Sequence, residues 1–205
     1  MKMRIFVTAL MLAVVLASSA FAGNVALSGL GATAVCGPTT GVGCTLSTFV
    51  AGNTIDGNYA TLGDKWVAPS GAANPWVLVT LNQVYTVDTI TITGNGNTGV
   101  DIGFTVYAGT TAGLTGSNLV DPQVQGTTVE VGNASGLWTD VITLSSPTPI
   151  QYVLYDVTES QSSTYPSYDN AYANDIEVDA VPEPGTIGLI GSGLLALGFT
   201  LRRKK

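Results

Sequence analysis

The chain predicts an all-β exported domain, an antiparallel sandwich or barrel, held between two terminal segments of a different kind. Three observations carry this. No stretch of 23–180 shows helical periodicity over ten residues. The recurring unit is a short run of β-branched and aromatic residues bounded by Gly, Asn, Asp, Ser or Pro, the pattern of strands separated by turns. Seven or eight such runs fall within the length of a single domain, which favours two packed sheets or a closed one.

The first segment is a signal peptide over 1–22. Lys2 and Arg4 make its positive start, Ile5 to Leu16 its apolar stretch, and Ala20-Phe21-Ala22 a small-x-small cleavage site, so the mature chain is expected to begin at Gly23. The strands follow. Trp76 to Leu81 is the first strong one. Thr89-Ile90-Thr91-Ile92-Thr93 alternates strictly, isoleucines on one face and threonines on the other. Gly94-Asn95-Gly96-Asn97 breaks the chain, and Ile102 to Tyr107 resumes with Phe104 and Val106 on a common side. Thr127 to Val131, Thr139 to Leu144, Ile150 to Val157 and Asp175 to Val178 complete the set. At the far end, Gly185 to Leu201 is free of charge and is followed by Arg202-Arg203-Lys204-Lys205. That is a short single membrane-spanning helix with its basic end on the cytoplasmic side.

Charge excludes a function class. Six of the seven basic residues lie in the terminal segments, leaving Lys65 alone against thirteen of the fourteen acids. A surface with one cation cannot neutralise phosphates, so no nucleic acid is expected as a partner. The chain has no histidine, no G-x-S-x-G elbow and no zinc motif, and no pair of acids is singled out by spacing, so no enzymatic activity is expected. Cys36 and Cys44 are the only cysteines. In an oxidising compartment they are expected to form a disulfide, worth about 2–3 kcal/mol for so short a loop.

Pro182-Glu183-Pro184 directly before the apolar run and basic tail resembles the PEP-CTERM sorting signal, here over 181–205. The resemblance implies export through the Sec machinery as a membrane-anchored precursor. An exosortase would then process it for the cell surface or extracellular matrix. Another resemblance covers 23–180. Asn24-Val25-Ala26-Leu27 with Gly31-Ala32-Thr33-Ala34 is similar to the opening of discoidin-like domains. Ile55-Asp56-Gly57-Asn58 with Trp66, the run Trp76 to Leu81 with Tyr85-Thr86-Val87 and Ile90-Thr91-Ile92, and Asn174 to Val178 match further segments in the family's order. This implies a galactose-binding-like jelly-roll β-sandwich.

Two candidate sites follow. The resemblance implies a structural calcium ion held by Asn53, Asp56, Asn58 and Thr61 on one loop and by Asp175 from the last strand. Their mixed carboxylate, amide and hydroxyl oxygens suit that ion. The other reading of the loop is an Asx-turn with no ion. The aromatic residues Tyr59, Trp66, Tyr165, Tyr168 and Tyr172, with Asn and Asp acceptors nearby, suit the apolar faces of sugar rings. The other reading makes Trp66 and Tyr172 core plugs. The functions implied are a non-catalytic module binding extracellular polysaccharide or, alternatively, a structural surface or matrix protein with no specific ligand.

Overall fold

The computed structural model describes residues 23–37, 50–58, 65–67, 75–96, 100–111, 124–125, 136–162 and 172–182. They form an antiparallel jelly-roll sandwich of nine strands with two short 3₁₀ turns, Ser28–Leu30 and Ala51–Ile55. The strands are β1 (Gly23–Asn24), β2 (Thr33–Gly37), β3 (Trp66–Val67), β4 (Trp76–Gly96), β5 (Val100–Gly109), β6 (Val124–Gln125), β7 (Gly136–Ser162), β8 (Tyr172–Ala173) and β9 (Asp175–Ala180). The expected strand at 127–131, the signal peptide at 1–22 and the apolar run at 185–201 lie outside the described residues. Among the described residues no helix is long and apolar enough to cross a membrane.

Two strands are far longer than expected. The runs at 76–81 and 89–93 belong to one 21-residue strand, and those at 139–144 and 150–157 to one of 27 residues. Each serves both layers of the sandwich. The first half of β4 pairs with β2 and with the second half of β7, which in turn pairs with β5. The second half of β4 pairs with β9 and with the first half of β7. Irregularities make the passage possible. Thr80 faces Tyr152 but Tyr85 faces Ile150, so three extra residues of β4 bulge out at the bend. At Val87 and Thr89 the register slips again: opposite β9, Asp88 is an inserted residue, while opposite β7 it stands against four residues, 144–147. Such an insertion reverses which parity points inward. Val77, Val79, Leu81 and Val87 are buried at odd positions, and beyond the slip Ile90 and Ile92 are buried at even ones.

The core is filled from both layers. Phe104, Val106 and Ala108 of β5 alternate inward beside Val153, Tyr155 and Val157 of β7. Ile176, Val178 and Ala180 of β9 close the other layer. Four aromatic rings join the two: Trp66 meets Tyr155 edge-on at 6.3 Å, Tyr155 meets Phe104 at 4.9 Å, and Phe104 stacks on Trp138 at 5.6 Å. Such contacts add about 0.5–1.5 kcal/mol each beyond the area they bury.

Candidate functional site

The chain brings Asp56 and Asp175 together from positions far apart in sequence. The 3₁₀ turn at 51–55 delivers Asp56, and Gly57 follows with φ 76°, a left-handed conformation that favours glycine. The Asp56 carboxylate accepts from the Asn58 amide at 2.8 Å, closing an Asx-turn. Asn53 spans the loop, its Nδ2 donating to the Lys65 carbonyl at 3.0 Å. The loop then enters β3, which pairs with β8 so that Trp66 faces Ala173 and Val67 faces Tyr172. Asn174 follows, its amide donating to the Thr93 carbonyl at 2.7 Å, and Asp175 opens β9.

Asp175 is fully buried, and neither carboxylate oxygen meets a hydrogen-bond partner of good geometry among the described residues. Burial, then the charges of Glu177 and Asp56, push its pKa up to about 7, against a weaker opposing effect of the Ile176 amide. A buried carboxylate facing other carboxylates is unfavourable unless protonated or met by a cation. This orphaned pair of oxygens fits a hard cation, as does the oxygen chemistry around it. No group of three or more Asp, Glu or Cys side chains converges as a metal cluster among the described residues. The rest of a coordination shell would therefore have to come from Asn53, Asn58 and backbone carbonyls. Thr61 lies outside the described residues.

The aromatic set divides. Trp66 is fully buried against Tyr155, so neither face of its indole is open to a sugar, which corrects its reading as a binding platform. The reason is the β3–β8 ladder, which carries Trp66 into the core beside Ala173. Tyr59, Tyr165 and Tyr168 lie outside the described residues. Of Tyr172 only the strand position is described.

Three polar side chains outside both candidate sites matter structurally. Asn24 Oδ1 accepts from the amides of Ala26 at 2.9 Å and Val178 at 3.1 Å, fastening β1 to β9. Lys65, the single cation of 23–180, is buried, and burial lowers its pKa. Asp156 of β7 stands between Trp76 and Thr105, buried, with Oδ1 unpartnered among the described residues; burial pushes its pKa up to about 6. Cys36 lies on β2 opposite Val77, and Cys44 falls outside the described residues.

The fold of the described residues resembles the galactose-binding-like sandwiches found as discoidin-like domains and family 32 carbohydrate-binding modules. One solved structure it resembles is the family 32 module of Clostridium perfringens NanJ in complex with galactose. The TM-score is 0.52 at 18% identity over 78% of this chain and 99% of that one. Another is a fucolectin from striped bass serum, TM-score 0.55 at 20% identity, covering 79% of this chain and 50% of that one. A third is chitosan-binding module 1 of a Paenibacillus chitosanase/glucanase, TM-score 0.51 at 19% identity over 78% of this chain and all 100% of that one. At these identities the likeness is one of fold. Residues 180–204 match the PEP-CTERM protein-sorting motif. No curated protein matches the chain in sequence.

Proposed function

We propose that this chain is an exported, non-catalytic module that binds extracellular polysaccharide and is sorted to the cell envelope by an exosortase. The observation that carries the reading is the direct succession of two parts: a galactose-binding-like sandwich that ends at Ala180, and a sorting motif that begins there. The NanJ, fucolectin and chitosan-binding structures support the carbohydrate half, and the motif supports the export half. In this reading 185–201 spans the membrane in the precursor, and the motif marks where processing releases the domain. The sugar contacts fall to Tyr59, Tyr165, Tyr168 and Tyr172, since Trp66 serves the core. That burial is also what favours the second reading, an inert surface or matrix protein.

The reading includes two stabilising features. Asn53, Asp56, Asn58, Thr61 and Asp175 would hold a calcium ion. It would neutralise the buried Asp175 carboxylate and so join the early loop to the last strand. Cys36 and Cys44 would be joined as a disulfide, in keeping with the absence of a free cysteine among the described residues.

The experiment is binding of the released protein to a glycan array and to the producer's own exopolysaccharide. Retention that is lost on substituting Tyr165 and Tyr168 by alanine supports recognition. No retention on any polysaccharide leaves the structural reading. Mass spectrometry of the released protein tests sorting: Gly23 is the expected start, and recovery of intact Arg202 to Lys205 would remove the processing step.

A further inference from the structure

The turns at one end of the sandwich are uncharged, and it is the end from which the chain leaves for the sorting motif. Ala180 pairs with Gly23 and Val87, and the Val181 amide donates to the Thr86 carbonyl at 2.9 Å, so β9 exits beside the bend of β4. Around that exit lie the 28–31 turn, the β4 bend at 82–86, and 145–149 of β7, where Pro149 faces Thr86 and Thr148 faces Val87. The turn reaches the bend directly: a Cβ on Gly31 would stand 3.4 Å from the Asn82 Cβ. None of these turn residues is charged, in a domain with thirteen acids and one lysine. The nearest charges are Asp88 and Asp179, one residue away from Val87 and Ala180, and Glu183 in the segment that follows. The large hydrophobic side chains exposed here are Leu30, 50% exposed, and Val84, 48% exposed.

The tether is short. The charge-free run begins at Gly185, so only 181–184 separate it from the last strand, and two of these are prolines. Four residues span at most about 14 Å. The end of the sandwich is therefore held within that distance of the start of the apolar run, close to the headgroup zone of a bilayer. Acidic surfaces are repelled by anionic headgroups, whereas a neutral one with protruding apolar side chains is not.

We propose that this end is the lipid-facing surface of the anchored precursor, with Leu30 and Val84 resting in the membrane interface on the exported side. The inference rests on the reading of 185–201 as a membrane span. It sets the sandwich end-on, with the β3–β8 ladder and the Asp175 end of β9 turned away from the bilayer.

The test uses the full chain in phosphatidylcholine vesicles with and without bromine on the acyl chains. Tryptophan is introduced by Val84→Trp, Leu30→Trp or, as a control on the exposed outer face of the sheet, Val141→Trp. With the wild-type signal subtracted, brominated lipid should quench the added fluorescence of V84W and L30W at least twofold and leave V141W unchanged. Equal signals from all three would overturn the inference. If the chain does not float with vesicles at all, the membrane-span reading fails and this inference with it. If it floats and V84W and L30W stay unquenched, only the end-on contact fails. Shielding of V84W solely when a processing protease is added would assign the surface to that protein instead.

Discussion

Trp138 occupies the space where the side chain of Gly94 would be. The two residues face each other across β4 and β7, and a Cβ added at Gly94 would overlap the indole. The relationship recurs in the other layer, where Gly37 of β2 faces Trp76 of β4 and an added Cβ would again meet the ring. In both pairs a glycine weakens its own strand and the facing aromatic restores cover.

The two pairs predict different costs for the same change. Trp138 is buried and pinned by its stack on Phe104, so Gly94→Ala must displace a core ring. The expected loss is about 1–3 kcal/mol, the usual range for overpacking. Trp76 is only half-buried and can turn outward, so Gly37→Ala should cost less. Urea unfolding of both variants checks the order, and a larger loss at Gly37 would contradict it.

Asp156 predicts a pH dependence. Its pKa is raised from 3.8 to about 6 by burial. The group favours the folded state fully only below its unfolded value, and that contribution is lost as pH rises through about 6. At about 1.4 kcal/mol per unit, the difference at pH 7 is about 3 kcal/mol between a chain that must ionise here and one that need not. Asp156→Asn should therefore match the wild type near pH 4 and exceed it by up to that amount at pH 7. Asp140, Asp175 and Asp179 are raised as well, so the readout is the difference between the two melting curves. A variant that is no more stable at pH 7 than at pH 4, relative to wild type, would exclude this origin.

How much of this was legible depended on the distance over which each feature is decided. The alternation Thr89 to Thr93 announces its own inward face, and Ile90 and Ile92 are indeed buried. The fusion of that run with Trp76 to Leu81 could not be read, because the inserted Asp88 looks like any turn residue and only the facing strands show the slip. The pairing of Asp56 with Asp175 was suggested by family resemblance; nothing local to either residue signals it. Trp66 was ambiguous for the same reason, since its enclosure depends on Tyr155 and Ala173, each far along the chain. Asp156 gave no signal, being a lone acid within a strand.

The cysteines predict a single crosslink. Cys36 sits at the end of β2, half-buried against the core, and the chain that leaves β2 must come back to Val50 ahead of the 3₁₀ turn. A Cys36–Cys44 bond would shorten that excursion and restrict the unfolded chain, by about 2–3 kcal/mol. Non-reducing peptide mapping of exported material should recover the pair joined. Two alkylatable thiols in the native protein would contradict it.

Calcium gives the last prediction, and Asp175 decides its sign. Without a cation, the carboxyl is raised to about 7 by burial, Glu177 and Asp56. Stability in chelator should then fall as pH rises from about 4 through 7, because ionising Asp175 opposes folding. With calcium present the ionised form is the one that is bound, so the fall should be offset. Binding to the folded state alone adds about 2.7 kcal/mol when calcium is a hundredfold above its dissociation constant. Thermal melts at pH 7.5 with calcium and with chelator should differ by several degrees. Asp56→Ala should remove the difference by deleting one partner. Asp175→Asn should remove it too, yet leave the chelated protein more stable than chelated wild type, because no buried charge has to form. A wild type that melts identically in both conditions would reduce the Asp56 loop to the Asx-turn already made by Asn58. A destabilised Asp175→Asn in chelator would show that the carboxylate is satisfied by something other than an ion.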